Sequence, residues 1–233
     1  MQIGEVKALV TGGGTGIGLA TARMLKEKGA QVAISGRRED VLRKAAEEIG
    51  ALAVPGDVGK EDDATRMVRA VIDEFGDYNV LVNNAGWGRF ASLLDLELSD
   101  FQEVMATNVF GAMLMARESA RYFISRNTGN IINISSTAGL RGFSGGTAYV
   151  ATKCALGGMP QSWRSELRQY NLRVTQINPS EVLTEFASVS GRGQSPSQRK
   201  LRAIEIAHAV LSVLEMDNRG FVTDLTVFAT NPD

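Results

Sequence analysis

The feature that most constrains this chain is a glycine-rich turn between a strand and a helix. The turn reads TGGGTGIG from Thr11 to Gly18, follows the apolar run Ala8-Leu9-Val10 and leads into a stretch with the apolar spacing of a packed helix. A helix that begins at such a turn presents backbone N–H groups at the positive end of its dipole. The turn therefore predicts a pyrophosphate site, although the same glycines also suit a tight connection that binds nothing.

Strand–helix alternation continues along the chain and predicts an α/β fold. Short runs rich in Val, Ile and Leu are expected to form seven strands, at residues 7–11, 31–35, 51–54, 80–83, 130–135, 173–178 and 221–227. Helical patterns lie between them, at residues 16–28, 39–49, 61–75, 99–126, 149–170 and 203–216. This order indicates a doubly wound parallel sheet with helices on both faces, whose ligand lies beyond the C-terminal ends of the strands.

Length and charge narrow the class of protein. The 233 residues suit one domain over residues 1–233. A formal net charge of −1 provides no basic surface for nucleic acid or a membrane, and neither a spanning segment nor a signal peptide is visible. A single cysteine, Cys154, excludes an internal disulfide, and with one histidine, His208, no protein-built metal site is expected. We therefore expect a cytoplasmic, metal-independent protein.

The end of the second predicted strand bears on the choice of cofactor. Dinucleotide folds that select NAD usually place an acid there to hold the ribose hydroxyls. Here Gly36 takes that place and is followed by Arg37 and Arg38. A guanidinium can hold the 2′-phosphate of NADP(H), which a carboxylate would repel. We therefore expect NADP(H) rather than NAD(H); the alternative is a solvated arginine pair at a helix start.

Polar residues also follow the third and fourth predicted strands. Asp57-Val58 comes after the third, and Asn83-Asn84-Ala85-Gly86 after the fourth. Both lie on the same sheet edge as the glycine turn, so each is either a ligand contact or a plain turn.

The most specific chemical signal is a tyrosine with a lysine four residues on, Tyr149 and Lys153. On a helix these positions share a face, about 5–6 Å apart. An ammonium ~5 Å from a phenolate is worth roughly 3 kcal/mol at an effective dielectric of ~20, enough to lower the phenol pKa from about 10 toward neutrality. Such a tyrosine can act as general acid or base. The alternative is a surface pair without a role.

Two polar residues complete a candidate catalytic group. Ser136 follows the fifth predicted strand, thirteen residues before Tyr149, where its hydroxyl can donate to a substrate carbonyl. Asn108 lies in an otherwise apolar helical stretch and is either a satisfied core amide or part of a water-mediated proton path.

Taken together, these motifs identify the chain as similar to the short-chain dehydrogenase/reductase family. T-G-x-x-x-G-x-G from Thr11, Asn83-Asn84-Ala85-Gly86, Ser136 and Tyr149-x-x-x-Lys153 occur in the family's order and spacing, from about residue 6 to 227. The resemblance implies a seven-stranded Rossmann sheet in the order 3-2-1-4-5-6-7 and a homodimer or homotetramer. It also implies hydride transfer between a nicotinamide and a carbonyl/alcohol pair.

The resemblance also implies roles for individual residues. Tyr149 would protonate the carbonyl oxygen, Lys153 would hold the nicotinamide ribose and lower the Tyr149 pKa, and Ser136 would hydrogen-bond the carbonyl. Asn108 would hold a water that links Lys153 to solvent. With the two arginines, the predicted dinucleotide contacts are Gly12, Gly14, Thr15, Gly16, Ile17, Gly18, Arg37, Arg38, Asp57, Val58, Asn83, Ala85, Gly86, Tyr149, Lys153, Pro179, Val182 and Thr184.

Two residues depart from the family pattern. Ser180 replaces a glycine that allows close approach to the nicotinamide, which is expected to shift the ring or narrow the pocket. Pro160 lies inside the catalytic helix, where it removes a hydrogen bond and is expected to kink a helix that often forms the family's subunit interface.

Several features surround the predicted ligand edge without an assigned role. Segment 185–200, rich in Ser, Gly, Arg and Gln, is expected to be a substrate lid, with a surface loop as the alternative. Trp87, Phe90, Phe143 and Phe186 follow strand ends and form either an apolar substrate wall or loop packing. Cys154 is expected to be a small buried residue.

These observations predict an NADP(H)-dependent reductase of a ketone or a 3-oxoacyl-type substrate. An NAD-dependent alcohol or hydroxysteroid-type dehydrogenase is the alternative enzyme, and the role of Arg37 separates the two. A non-catalytic nucleotide-binding module is the alternative outside enzymes, and the intact set of Asn108, Ser136, Tyr149 and Lys153 argues against it.

Overall fold

A seven-stranded parallel sheet forms the centre of the computed structural model, which describes residues 1–191 and 199–231. Its spatial order is β3-β2-β1-β4-β5-β6-β9, and all six neighbouring pairs are parallel. The strands are β1 (Lys7–Thr11), β2 (Gln31–Gly36), β3 (Leu52–Pro55), β4 (Val80–Asn83), β5 (Gly129–Ile134), β6 (Leu172–Pro179) and β9 (Asp224–Val227). The predicted sheet and strand order are confirmed, with β9 as the seventh strand of the sheet.

A second, two-stranded parallel sheet was not predicted. It pairs β7 (Val182–Leu183) with β8 (Leu201–Arg202), so the start of α8 is held beside the segment that follows β6. The predicted lid, segment 185–200, lies between these two strands. Residues 192–198 of that segment are outside the described residues.

Helices cover both faces of the large sheet. They are α1 (Gly16–Glu27), α2 (Glu39–Ile49), α3 (Glu61–Phe75), α4 (Leu98–Met105), α5 (Ala112–Arg126), α6 (Thr147–Leu167), α7 (Phe186–Val189) and α8 (Ala203–Glu215). Strand residues alternate between two cores: Val10 packs with α1, α2 and α8, and Leu9 packs with α3 and α5. The chain thus buries both sheet faces and leaves the C-terminal strand edge as the place for a site.

The helix predicted at residues 99–126 is divided in the structure. A π-helical turn, Ala106–Gly111, separates α4 from α5, and Asn108 lies within it. A π turn adds a residue to the helical repeat and is often found at functional sites. The other notable helix, α6, continues through Pro160 without interruption. Within residues 1–191 and 199–231, none of the helices combines the length and apolar composition needed to cross a bilayer.

Candidate active site

The glycine turn between β1 and α1 is shaped at positions where only glycine fits. Gly12 and Gly16 have φ of +62° and +55°, a left-handed conformation that other residues rarely adopt. A Cβ atom on Gly18 would lie 2.3 Å from the Gly12 carbonyl oxygen. A Cβ atom on Gly14 would meet nothing closer than 3.6 Å. The turn is therefore a close-packed backbone cradle at the N-terminus of α1.

Thr11 and Asn84 hold this turn against the end of β4, and neither was among the predicted contacts. The Thr11 hydroxyl oxygen accepts the N–H groups of Asn84 and Ala85, both at 3.0 Å. The Asn84 amide nitrogen donates to the carbonyls of Thr11, at 2.9 Å, and Gly12, at 3.2 Å. The sequence signal for the role of Asn84 was the Asn83-Asn84 pair at the end of a predicted strand. Because neighbouring residues of a strand point to opposite faces, the two asparagines have different surroundings.

Asn83, the predicted contact of that pair, has a side chain that is buried between the sheet and α5. Its amide nitrogen donates to the Ala112 carbonyl, at 3.0 Å, and to Asn133 Oδ1, at 3.1 Å. Its side chain therefore supports the junction of β4, β5 and α5, and its contact with a dinucleotide stays a prediction. Gly86 lies nearby, since a Cβ atom there would be 3.2 Å from Asn108 Oδ1.

The two arginines after β2 are exposed but differ in their surroundings. Arg38 pairs with Glu185 across 3.7 Å, and both side chains are more than half exposed. A pair of this kind contributes at most about 1 kcal/mol. Arg37 forms no ion pair within the described part of the chain. Of the two, Arg37 is the guanidinium more readily available to an anion.

The turn after β3 is fixed internally. The Asp57 N–H donates to Asp63 Oδ2 at 2.8 Å, and Asp57 Oδ1 accepts the Gly59 N–H at 2.9 Å. That backbone hydrogen bond, followed by the bond from Arg66, holds the pKa of Asp63 below its ordinary value. Val58 is buried against Gly111.

The segment after β6 approaches the glycine turn from the other side. A Cβ atom on Gly16 would lie 3.5 Å from the Thr184 side chain. Pro179 is buried at the end of β6, and the following Ser180 N–H donates to the Val227 carbonyl at 2.8 Å. Val182 and Thr184 are partly buried. The structure thus brings Thr184 to the cradle, while the effect of Ser180 on the pocket stays a prediction.

Tyr149 and Lys153 lie on successive turns at the start of α6. The Lys153 Nζ atom is 5.6 Å from the centre of the Tyr149 ring and donates to the Ile134 carbonyl at 3.0 Å. The Lys153 side chain is only 5% exposed, and this burial lowers its pKa to about 8. The pair is therefore a phenol above a buried amine, anchored to the end of β5.

Ser136 and Ser135 have different environments at the end of β5. The buried Ser135 hydroxyl donates to the Lys153 carbonyl at 3.5 Å. The partly exposed Ser136 oxygen accepts the Ala138 N–H at 3.1 Å, which uses a lone pair and not the hydroxyl proton. Of the two serines, Ser136 is the more exposed, and its contact with a substrate stays a prediction.

Asn108 ties the loop after β4 to the catalytic helix. Its oxygen accepts the Trp87 N–H at 3.0 Å, and its nitrogen donates to the Trp87 carbonyl at 2.8 Å and to Thr152 Oγ1 at 3.0 Å. With 1% exposure it is a satisfied core amide, one of the two alternatives predicted for it. The water predicted to lie beside it stays a prediction.

Three of the four predicted aromatic residues form one cluster of rings with Tyr149. Ring centres of Phe186 and Phe90 lie 5.3 Å and 5.7 Å from that of Tyr149, and Phe143 lies 6.0 Å from Phe90. Among the described residues, Trp87 forms no ring pair. The other three rings thus pack around Tyr149 and each other, and their role as a substrate wall stays a prediction.

The expectation of a buried Cys154 was wrong. Its thiol is exposed on α6, where Sγ lies 3.5 Å from the Gly139 carbonyl. The buried positions of this helix are Ala148, Thr152, Lys153, Leu156 and Pro160, and Cys154 lies outside that stripe. Among the residues described, no three His, Cys, Asp or Glu side chains cluster as metal ligands.

The buried amine leads to a testable pH dependence of stability. Because the pKa of Lys153 falls from 10.5 to about 8 on folding, the unfolded chain holds this proton between those pH values and the folded chain does not. The free energy of unfolding must therefore rise with pH across this window, by roughly 3 kcal/mol.

The measurement is denaturant unfolding of the wild type and of Lys153→Met at pH values from 7 to 11. The stability of the wild type relative to the variant is expected to be level below about pH 8 and to increase up to about pH 10.5. A difference that stays level across the whole range would show that Lys153 is not desolvated in the folded protein.

The fold and the cradle define a Rossmann-type protein, and comparison with known proteins identifies its family. The family model for short chain dehydrogenase matches residues 6–194, so the chain belongs to that family and is an oxidoreductase. An uncharacterized oxidoreductase of Staphylococcus epidermidis is 30% identical over 228 residues, which cover 97% of this chain and 98% of the relative.

Solved structures extend the likeness to the whole fold. A serine dehydrogenase in a closed form with NADP+ has a TM-score of 0.89 and 29% identity, and the match covers 94% of this chain and 93% of that one. A 3-ketoacyl-(acyl-carrier-protein) reductase of Brucella melitensis in complex with NADH also has a TM-score of 0.89, with 28% identity and 97% and 98% coverage.

Proposed function

We propose that this chain is an NADP(H)-dependent oxidoreductase that transfers hydride between the nicotinamide and a ketone or secondary alcohol. The observation that carries the proposal is the start of α6, where the Tyr149 ring lies 5.6 Å from the Nζ atom of the buried Lys153. That amine donates to the Ile134 carbonyl at the end of β5, two residues before Ser136. A general acid, a cation and a hydrogen-bond donor at one strand edge are the groups that carbonyl reduction needs.

The residues present fit a dinucleotide. At Gly12, Gly13 and Gly18 the cradle has no room for a Cβ atom, and its backbone N–H groups lie at the N-terminus of α1, which suits a pyrophosphate. Asn84 and Thr11 would keep the cradle in shape, and Thr184 would close it from the other side. The predicted contacts at Asp57, Val58 and Ala85 belong to the same edge. When bound, a reduced nicotinamide supplies the hydride.

The catalytic side chains then act on the carbonyl. Tyr149 donates its phenolic proton to the carbonyl oxygen, and Ser136 donates a hydrogen bond to the same oxygen. The Lys153 ammonium stabilises the phenolate that remains and holds the nicotinamide ribose. Asn108 fixes the Trp87 loop against α6 and, as the family resemblance implies, holds a water for reprotonation.

The preference for NADP(H) rests on Arg37. Its exposed guanidinium follows the end of β2 and forms no ion pair in the described ranges, and no carboxylate stands at the strand end itself. Relatives of this fold bind either cofactor, since NADP+ is bound in one solved neighbour and NADH in another. The distinction must therefore come from this chain's own residues.

Reversing the charge at Arg37 is expected to reverse the cofactor preference. In Arg37→Asp the carboxylate repels the 2′-phosphate and accepts hydrogen bonds from ribose hydroxyls, so the ratio of kcat/KM for NADPH over NADH should fall about a hundredfold. The measurement is initial rates with both cofactors at a fixed ketone concentration.

Arg69→Asp is the matched control, because it makes the same charge change on an exposed face of α3. It should leave the ratio unchanged. An unchanged ratio in Arg37→Asp as well would rule out the phosphate assignment.

The substrate is a ketone, with 3-oxoacyl compounds included because one solved relative is a 3-ketoacyl-(acyl-carrier-protein) reductase. The test is oxidation of NADPH and NADH in the presence of aliphatic, aromatic and 3-oxoacyl carbonyl compounds. Oxidation that depends on a carbonyl compound supports the proposal, and its absence with every compound and both cofactors contradicts it.

The remaining sequence predictions complete this proposal. Residues 1–233 form one dinucleotide-binding and catalytic domain with 185–200 as a lid. The protein acts in the cytoplasm on a small molecule, without nucleic acid or membrane, as a homodimer or homotetramer.

A further inference from the structure

Tyr149 is set into a cluster of aromatic rings. Phe90 meets it edge-on at 60°, with 5.7 Å between ring centres, and Phe186 lies on another side at 5.3 Å. Phe90 and Phe186 also contact each other at 6.4 Å. These separations fall in the range that aromatic pairs prefer, about 4.5–7 Å. The ring of Tyr149, the proposed proton donor, therefore packs against two phenylalanine rings.

The three phenylalanines come from different parts of the chain and do not belong to the buried core. Phe90 follows β4, Phe143 precedes α6 and Phe186 is the first residue of α7. Phe90 and Phe186 are partly buried, and Phe143 is 40% exposed. Rings gathered from three loops at the ligand edge, but left partly open to solvent, form a recognition surface and not a sealed core.

Gly88 is what allows the rings to meet. A Cβ atom at this position would lie 3.0 Å from Phe186, 3.1 Å from Tyr149 and 3.2 Å from Phe90. Each of these distances is tighter than nine in ten Cβ contacts, and the nearest atoms belong to three separate rings. An alanine at position 88 therefore requires the rings to shift by a few tenths of an ångström.

The apolar surface continues outward from the rings. The Ala91 N–H donates to the Gly145 carbonyl at 3.1 Å and joins the Phe90 loop to the Phe143 loop. The same two loops carry Leu93, 76% exposed, Leu94, 95% exposed, and Leu140, 62% exposed. An apolar rim of this kind suits a hydrophobic substituent that extends past the rings.

We propose that the substrate is a ketone with an aryl group beside the carbonyl, which packs against the partly exposed sides of Phe90 and Phe186 while the carbonyl oxygen meets the Tyr149 phenol. The proposal rests on the proposed function, because it takes Tyr149 as the proton donor. An aryl ring gains edge-to-face contacts with the two phenylalanines in addition to buried area, whereas a saturated ring of the same size gains the area alone.

The test compares three ketones: acetophenone, cyclohexyl methyl ketone and butan-2-one. Their dissociation constants are measured on wild-type protein with and without NADP+, where no reduction takes place, and kcat/KM is measured with NADPH. Acetophenone is expected to bind about tenfold more tightly than the saturated ring. Equal binding of these two, or no measurable binding of any of the three, would overturn the proposal.

Two variants identify the residues responsible. Phe186→Leu keeps an apolar side chain but removes the ring, and it should reduce the tenfold preference to about threefold. Gly88→Ala should lower acetophenone affinity by displacing the rings. Tyr170→Leu is the control, because it removes a partly exposed ring just before β6, at the opposite sheet edge, and should change nothing. An unchanged preference in both site variants would overturn the assignment.

The two readouts separate this inference from the proposed function. Selective binding of acetophenone without NADPH oxidation would contradict carbonyl reduction and leave the aromatic pocket supported. NADPH oxidation with all three ketones, but no preference for acetophenone in binding or in kcat/KM, would contradict the pocket alone.

Discussion

Replacing Tyr149 by phenylalanine is expected to lower kcat for carbonyl reduction by about a thousandfold, with little change in NADPH affinity. The variant loses one hydroxyl group and keeps the ring that packs against Phe90 and Phe186. The carbonyl oxygen then has no acid within reach to neutralise the developing charge, and general acid catalysis of this kind contributes about 10²–10⁴. The measurement is steady-state kcat with the best ketone of the panel, together with NADPH affinity by fluorescence titration.

Tyr170→Phe serves as the control. It removes the same hydroxyl group from a partly exposed tyrosine just before β6, at the sheet edge opposite the candidate site. It should keep the wild-type kcat. Wild-type turnover in Tyr149→Phe would mean that another group protonates the carbonyl, and Tyr149 would then be a packing residue of the aromatic cluster.

Replacing Gly18 by alanine is expected to destabilise the protein by about 2–3 kcal/mol and to abolish stabilisation by NADP+. The added methyl group would lie 2.3 Å from the Gly12 carbonyl oxygen and 2.5 Å from Asn84 Nδ2. The backbone must move, and the hydrogen bond from Asn84 to the Gly12 carbonyl breaks. The measurement is thermal unfolding with and without NADP+, since a ligand that binds only the folded state raises Tm.

Gly14→Ala is the matched control for stability, because the same methyl group there meets only ordinary contacts at 3.6 Å and the backbone φ is not positive. Without NADP+, its Tm should stay close to that of the wild type. If Gly18→Ala and Gly14→Ala unfold at the same temperature as the wild type, the close packing of the cradle is not what holds the turn in place.

The sequence predicted most of the strands and helices and the glycine turn, because the signals for these elements are local. Runs such as Ala8-Leu9-Val10 are too apolar for exposed strands, and their alternation with helical patterns leads to a parallel sheet. The family resemblance supplied the strand order, which the structure confirms. The glycine turn was visible because a positive φ selects glycine at Gly12 and Gly16, and close approach selects it at Gly12 and Gly18.

Other features depend on contacts that a single sequence does not reveal. The break between α4 and α5 requires one extra residue in the helical repeat at Asn108, and hydrophobic spacing does not register that insertion. Asn84 differs from Asn83 only in the face to which its side chain points. The meeting of Phe90, Phe143 and Phe186 joins three loops far apart in the chain, so only the fold brings them together.

Transfer of deuterium from cofactor to substrate tests the central claim most directly. NADPH carrying deuterium at the transferable position of the nicotinamide is mixed with stoichiometric protein and a ketone, and the product is examined by mass spectrometry. The account predicts an alcohol with deuterium on the former carbonyl carbon in the wild type and almost none in Tyr149→Phe over the same time. An unlabelled alcohol, or no alcohol from any ketone of the panel, would contradict it.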